Sequence, residues 1–225
     1  MPLDNLLIIG DSLSLPNAAE QVDAALTYPT LLSKHFERAT IKHSAIIGND
    51  TKVAKGKIKE DILDFQPSHA LVQLGIVDCA PRVFLRNELR FVMMLPDSVQ
   101  NFIHKFTRKH RYLITKFRKR EFVSIRSFEK NYRIILSALQ KVQAKVILIN
   151  IVAASDYLCS ISYGMRENID TYNQVIKELA EEYGCDLINL NSLTSQNKAL
   201  LANDGYHLSI TGNRQISEEV TAIWH

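Results

Sequence analysis

Short apolar runs and amphipathic stretches alternate along the whole chain. Five stretches are predicted to be strands, at 6–9, 41–47, 70–76, 145–152 and 186–190, and the first of them is apolar enough to be buried on both faces. Between and after them, apolar residues spaced three and four apart predict helices at about 29–38, 52–65, 128–142, 165–183 and 211–224. Such alternation is typical of parallel sheets, because each crossover needs a covering helix. We therefore predict an α/β fold, a three-layer α/β/α sandwich with a mainly parallel five-stranded sheet.

The connection between the third and fourth strands is longer than a simple crossover needs. From about 83 to 126 it is rich in Lys and Arg, with aromatic and aliphatic residues interleaved. One interpretation is a set of helices with a solvated basic face. The others are a cap over a site at the carboxyl edge of the sheet, or peripheral contact with an anionic surface. No nucleic-acid-binding motif accompanies the charge, so no nucleic-acid partner is expected.

Composition limits the classes of protein that fit. The 225 residues are 46% hydrophobic, enough for one domain spanning 1–225 with the basic insert at about 83–126. The net charge of +3 argues neither for nor against nucleic acid. Three cysteines lack metal-ligand spacing and suggest reduced thiols. The first residues resemble no secretory signal, and no apolar stretch is long enough to span a membrane, so a cytoplasmic location is expected.

Candidate chemistry lies at the two ends of the chain. Ser12 follows Gly10 at the end of the first strand, the edge where open α/β sheets bind ligands. By itself this stretch also fits a helix cap, with Asp11 among the capping residues. Near the other end, Asp204 precedes His207 by three residues, so its carboxylate can orient the imidazole. A strand-end serine together with such a pair favours a nucleophile over a simple cap.

Four blocks in order carry a resemblance to the SGNH/GDSL hydrolase family. They are Gly10-Asp11-Ser12-Leu13, Gly48, Gly75-Ile76-Val77-Asp78 and Asp204-x-x-His207. The resemblance spans nearly the whole chain and implies a flavodoxin-like SGNH hydrolase fold. It also implies a serine esterase in which Ser12 is the nucleophile, His207 the base and Asp204 its orienting acid. The N–H groups of Ser12 and Gly48 would form the oxyanion hole, with no metal and no organic cofactor.

The third block departs from the family pattern at Val77. The family has an asparagine there, whose side chain donates to the oxyanion, and valine has no donor. We expect Asn49, or failing that Arg82, to supply a third donor, since each adjoins a motif at the sheet edge. Substrate contacts are assigned to Asp11, Asp78 and Arg82.

The segment Gly75-Ile76-Val77-Asp78-Cys79-Ala80-Pro81-Arg82 resembles a bacterial subgroup associated with surface-polysaccharide gene clusters. That resemblance implies an acyl ester on a sugar or polysaccharide precursor as the substrate. Two alternatives stay open. The same residues could transfer an acyl group to a sugar hydroxyl, or the chain could be a non-catalytic carbohydrate-binding module. The intact serine, aspartate and histidine argue against the binding module.

Overall fold

Five parallel strands form the central sheet of the computed structural model, which describes residues 3–224. Their order in the sheet is β2-β1-β3-β4-β5. The strands are β1 (Asn5–Gly10), β2 (Thr40–Ala45), β3 (His69–Gln73), β4 (Lys145–Ile149) and β5 (Asp186–Ile188). β2 lies on one side of β1, and β3, β4 and β5 follow on the other side. The carboxyl ends of β1 and β3 therefore flank the crevice where doubly wound folds bind ligands. The predicted fold class is confirmed.

Helices cover both faces of the sheet. Right-handed crossovers that leave β1 in opposite directions place their helices on opposite faces. On one face α1 packs against α11, and on the other α2 and α9 pack against α7. The helices are α1 (Tyr28–His35), α2 (Thr51–Gly56), α3 (Ile76–Cys79), α4 (Arg86–Val92), α5 (Asp97–Lys109), α6 (Arg111–Arg118), α7 (Ile125–Lys141), α8 (Asp156–Ile161), α9 (Met165–Tyr183), α10 (Leu190–Gln196) and α11 (Ile210–Trp224).

The structure shortens several elements relative to the sequence pattern. β3 ends at Gln73 because Gly75, with a φ of +137°, turns the chain into α3. The predicted helix at 52–65 is divided into α2 and a π-helical turn at Lys59–Leu63. α8 forms where the pattern predicted a loop, and α10 forms where it predicted neither a helix nor a strand. The apolar cores of β1 and β3 are fully buried, as continuous apolar runs in a parallel sheet require.

The basic insert forms α4, α5 and α6. Its last helix packs against α8, which follows β4 at the carboxyl edge of the sheet. Two hydrogen bonds join α6 to the residues that directly follow α8: Arg111 Nε donates to Ser162 Oγ at 2.7 Å, and the Tyr163 N–H donates to Thr115 Oγ1 at 3.0 Å. The insert therefore lies beside the crevice. Among residues 3–224, no helix is both long and apolar enough to cross a membrane.

Candidate active site

Three side chains from opposite ends of the chain meet at the carboxyl end of β1. His207 Nε2 lies 3.0 Å from Ser12 Oγ, and His207 Nδ1 lies 2.5 Å from Asp204 Oδ2. Asp204 and His207 share one loop that a backbone bridge between Leu201 and Leu208 closes. This is the linear arrangement of nucleophile, base and orienting acid by which serine hydrolases activate a hydroxyl. The structure thus brings together all three residues assigned to catalysis.

The loop geometry holds Asp204 as an anion. Its Oδ1 accepts the N–H groups of Tyr206 at 3.1 Å and His207 at 3.0 Å, while Oδ2 faces the imidazole. Partial burial alone would raise the pKa of Asp204, but these hydrogen bonds outweigh it and keep the pKa below its usual value. Gly205 has a φ of +81°, and a Cβ there would lie 2.2 Å from Ser155 Oγ. Only glycine fits this turn without displacing the loop.

Asp11 caps the turn that presents Ser12. Its Oδ1 accepts the Leu13 N–H at 2.9 Å, and the side chain is almost completely buried. Burial raises the pKa of Asp11 to about 7, with a smaller contribution from the negative charge of Asp78. The expectation that Asp11 contacts substrate is therefore corrected. Asp11 instead stabilises the turn, because its carboxylate accepts a backbone N–H of that turn.

The backbone of two blocks supplies donors beside Ser12. Ser12 and Gly48 both line the cavity above β1. Within residues 3–224, the structure gives neither of their N–H groups a hydrogen-bond acceptor. Gly48 has a φ of +74°, a conformation that L-residues with side chains rarely adopt. Both N–H groups can therefore serve an oxyanion bound at Ser12.

Asn49 is directed away from the cavity. Its Nδ2 donates to the Gly10 carbonyl oxygen at 2.8 Å, and the residue is 2% exposed. This bond joins the second block to the end of β1. The Oδ1 atom of Asn49 is buried and has no hydrogen-bond partner within residues 3–224. The expectation of a third oxyanion donor from this amide is corrected, because its position beneath the cavity commits it to the backbone.

Asp78 is also buried beneath the cavity. Its Oδ1 accepts the Thr51 hydroxyl at 2.6 Å and the Thr51 N–H at 3.0 Å, and Asn131 Nδ2 donates to the same hydroxyl at 3.1 Å. Burial raises the pKa of Asp78 to about 7, opposed by the bonds from Thr51. The expected substrate contact is corrected here too. Asp78 instead joins the third block to the start of α2, three residues after Gly48.

The cavity at Ser12 has a volume of about 450 Å³ and a mixed wall. Val77 lines it, so the position of the missing asparagine does face the site. Arg82 lines it as expected, with its guanidinium over the Phe122 ring at 4.0 Å and Nη2 donating to the Val77 carbonyl at 2.7 Å. Sequence reasoning named none of the other wall residues individually. They come from the insert, from α8 and the start of α9, and from the histidine loop: Arg111, Phe122, Tyr157, Leu158, Ile161, Ser162, Met165 and Tyr206.

Positive charge dominates one side of this cavity. Burial, together with the neighbouring charges of Arg111 and Arg86, lowers the pKa of Arg82 to about 10. Burial also lowers the pKa of Arg111. Both guanidinium groups still carry their proton at neutral pH. In the described part of the chain, no group of three His, Cys, Asp or Glu side chains is placed to hold a metal ion.

Fold and site together define a hydrolase-type centre at the switch point of a doubly wound sheet. The model of the GDSL-like lipase/acylhydrolase family matches residues 8–215. The chain belongs to that family and is a hydrolase of the SGNH/GDSL type. The family assignment made from the four blocks is confirmed. A comparison with curated protein sequences gives no significant match.

Solved structures share the fold at low sequence identity. A lipase/acylhydrolase from Enterococcus faecalis is 14% identical with a TM-score of 0.67, over 96% of this chain and 93% of that one. The acetyl xylan esterase AlAXEase is 20% identical with a TM-score of 0.65, over 97% and 98%. An acetylxylan esterase from Geobacillus stearothermophilus is 19% identical with a TM-score of 0.62, over 96% and 91%. Nearly the whole chain is thus covered by one shared architecture.

Proposed function

We propose that this protein is a serine esterase that removes an acyl group from a sugar or a polysaccharide precursor. The observation that carries the proposal is the contact of Ser12, His207 and Asp204 at the mouth of the cavity. Ser12 Oγ attacks the ester carbonyl while His207 Nε2 takes its proton. His207 then gives that proton to the leaving alcohol. Asp204 holds the imidazole in one orientation and stabilises its protonated form.

The acyl-enzyme is released by the reverse sequence. Water enters where the alcohol left, and its oxygen attacks the carbonyl of the Ser12 ester while His207 accepts its proton. The bond between the acyl carbon and Ser12 Oγ then breaks, His207 returns the proton to Ser12 Oγ, and the carboxylic acid leaves. In both halves, the N–H groups of Ser12 and Gly48 stabilise the tetrahedral oxyanion. Arg82 is the remaining side-chain candidate for a third donor, since it lines the cavity and its guanidinium is hydrogen-bonded to the carbonyl oxygen of Val77.

Support for a saccharide substrate comes from the cavity and from the neighbours. A volume of about 450 Å³ accommodates an acylated sugar unit, and the wall combines aromatic rings with hydrogen-bonding groups. Two of the structural neighbours reported above are described as acetylxylan esterases. Aromatic faces such as Tyr157, Tyr206 and Phe122 suit the apolar faces of sugar rings.

A fluorophosphonate probe tests the nucleophile directly. We expect the purified chain to be labelled and Ser12→Ala to lose the label together with hydrolysis of acetylated saccharides. Ser33→Ala, a serine on α1 distant from the site, is the matched control and should be labelled normally. Retained hydrolysis in Ser12→Ala would overturn the proposal. Product analysis with an added sugar acceptor distinguishes hydrolysis from acyl transfer, because a transferase would move the acyl group to the acceptor.

A further inference from the structure

Among residues 3–224, no carboxylate pairs with either of two arginines that line the cavity, Arg82 and Arg111. Arg82 Nη2 donates to the Val77 carbonyl, and the buried Nε of Arg82 has no hydrogen-bond partner in the described part of the chain. Arg111 donates through Nε to Ser162 Oγ and through Nη2 to the Pro81 carbonyl at 3.4 Å. These partners are all uncharged. The negative charge of Asp204 in the same wall is committed to His207.

Three arginines of the insert are, by contrast, paired with carboxylates. Arg86 Nη2 lies 2.7 Å from Asp50 Oδ2, and Arg120 Nη1 lies 3.0 Å from Glu88 Oε1. Arg118 also pairs with Glu88. Carboxylates within the protein therefore neutralise these three arginines, whereas among residues 3–224 no carboxylate pairs with the partly buried Arg82 and Arg111 of the cavity wall. Holding two like charges close together costs energy, which a bound anion would recover.

We infer that the cavity binds an ester whose alcohol portion carries a negatively charged group, and that Arg82 and Arg111 hold this group. Carboxylate and phosphate both fit this chemistry, since a guanidinium donates two parallel hydrogen bonds to either. The substrate class is then an acylated acidic sugar, either a uronate or a sugar phosphate. This inference rests on the proposed esterase function and adds its specificity.

The test compares matched esters on one enzyme. We expect kcat/KM for an O-acetyl hexuronate or an O-acetyl hexose phosphate to exceed that for the matching neutral O-acetyl hexose. The anionic ester with the larger kcat/KM relative to the neutral ester shows whether the arginines bind a carboxylate or a phosphate. Arg111→Gln should lower this ratio by about 10- to 100-fold, mainly through KM, because each charge-assisted hydrogen bond contributes strongly. Arg90→Gln, on an exposed part of α4, is the control and should keep the ratio.

Other outcomes separate the inference from the function. Equal rates on anionic and neutral esters in a Ser12-dependent enzyme would overturn the anion site alone. Hydrolysis that survives Ser12→Ala would overturn the function itself. Arg82→Gln adds a further distinction: a fall in kcat shared by both esters assigns it to the oxyanion, and a change in the ratio assigns it to the substrate anion.

A second inference rests on a different observation, the surface of the insert. No residue of the 13-residue helix α5 is buried. Its apolar side chains follow helical spacing, with Phe102 69% and Phe106 52% exposed. Further exposed apolar side chains come from the adjoining parts of the insert: Phe91, Met93, Met94, Leu113 and Phe117. We call this set, with Val99, Phe102 and Phe106, the insert stripe.

Positive charge surrounds the insert stripe. Residues 83–126 contain eleven Lys and Arg against three Asp and Glu, a formal charge of +8 in a chain whose total is +3. The rest of the protein is accordingly acidic. One of the three acids, Glu88, is already paired with two arginines. Exposed aromatic and aliphatic residues flanked by Lys and Arg are the composition of helices that lie on membrane surfaces.

The geometry points to an anionic lipid bilayer as the occupant of the insert stripe. A second copy of the chain would bring two strongly positive inserts together, which charge repulsion disfavours. An anionic bilayer satisfies both features at once, because its interior accepts the apolar side chains and its headgroups attract the basic ones. Docked in this way, the insert would hold the neighbouring cavity close to the lipid surface.

Vesicle cosedimentation tests this inference. We expect binding to phosphatidylcholine vesicles containing phosphatidylglycerol, weaker binding to pure phosphatidylcholine, and release as salt rises. Lys105→Gln with Lys109→Gln should weaken binding about 30-fold, because each basic residue near an anionic surface contributes about fivefold. Phe102→Ser with Phe106→Ser should also weaken it. Lys130→Gln with Lys141→Gln on α7 is the matched control and should bind as the wild type does.

Three results would overturn the lipid surface. The first is no sedimentation with anionic vesicles at low salt. The second is binding that the phenylalanine substitutions leave unchanged. The third is a shift from dimer to monomer in the Phe102→Ser, Phe106→Ser variant without any vesicle binding, which would identify a second copy of the chain as the occupant.

Discussion

Restoring the family's asparagine at Val77 is the sharpest test of how the oxyanion hole is built. Val77 is 7% exposed and lines the cavity beside Ser12. Asparagine is close to valine in volume, so Val77→Asn introduces a donor without a large change in packing. The side-chain amide would join the N–H groups of Ser12 and Gly48. We expect turnover of simple esters to rise.

The magnitude follows from the number of donors. Loss of one preorganised donor typically costs about 10²–10³ in turnover, or about 3–4 kcal/mol. The new amide joins two backbone N–H groups, but no neighbouring residues are arranged to orient it. It should therefore recover only part of that factor in turnover. We therefore expect a gain of about 10- to 100-fold in kcat. The amide is buried when no substrate is bound, so we also expect a stability loss of about 1–2 kcal/mol.

The assay follows kcat on a neutral acetyl ester and the rate at which a phosphonate labels Ser12. Both reactions develop negative charge on an oxygen that the oxyanion hole can bind, so both should accelerate in Val77→Asn. Val77→Ala is the control, since it opens space without adding a donor. Should Val77→Asn fold normally and show no gain in either rate, the hole is not simply incomplete. If Arg82→Gln then loses about 10²-fold on neutral esters, Arg82 supplies the third donor instead.

Three further predictions concern the groups that support the site. His207→Ala should abolish most hydrolysis, and Asp204→Asn should lose slightly less, both measured as kcat on short acyl esters, because base and nucleophile act as one unit. Gly205→Ala should lower kcat by about 10²-fold, since its methyl group displaces the loop, whereas Gly184→Ala, at a φ of +64° with open space around it, should leave kcat unchanged. The pKa of Asp78 is about 7 when folded, above the unfolded value of 3.8, so the folded state keeps a proton between these pH values that the unfolded chain has released. The free energy of unfolding should therefore fall as pH rises from about 4 to 7, and denaturant titrations of Asp78→Asn should show a flatter dependence.

Local pattern was enough to predict the layered sheet and the place of the site. Continuous apolar runs identify strands covered on both faces, and the intervening amphipathic segments must then be crossovers. Gly10 and Ser12 follow the first of these runs directly, so chain connectivity alone places them at the carboxyl edge. Asp204 and His207 are neighbours in sequence, so their mutual contact is also a local matter.

Element boundaries were less predictable because they depend on contacts distant in sequence. β3 stops at Gln73 because the chain turns at Gly75, and that turn packs so closely on Ile151, just after β4, that a Cβ at Gly75 would lie 2.7 Å from its side chain. The π-helical turn after α2 and the short helix α8 likewise form where neighbouring layers require them. The intrinsic helix and strand propensities of a segment do not depend on those neighbours.

The amino-acid sequence by itself determined which segments end at the catalytic edge and which residue types meet there. Only the tertiary structure decided the direction of each side chain. It buried Asp11, Asn49 and Asp78 beneath the cavity, where backbone and hydroxyl partners hold them, and it brought Arg111 in from a distant helix. The physical reason is that a buried polar group must find a hydrogen-bond partner, and those partners come from segments that only folding places beside it.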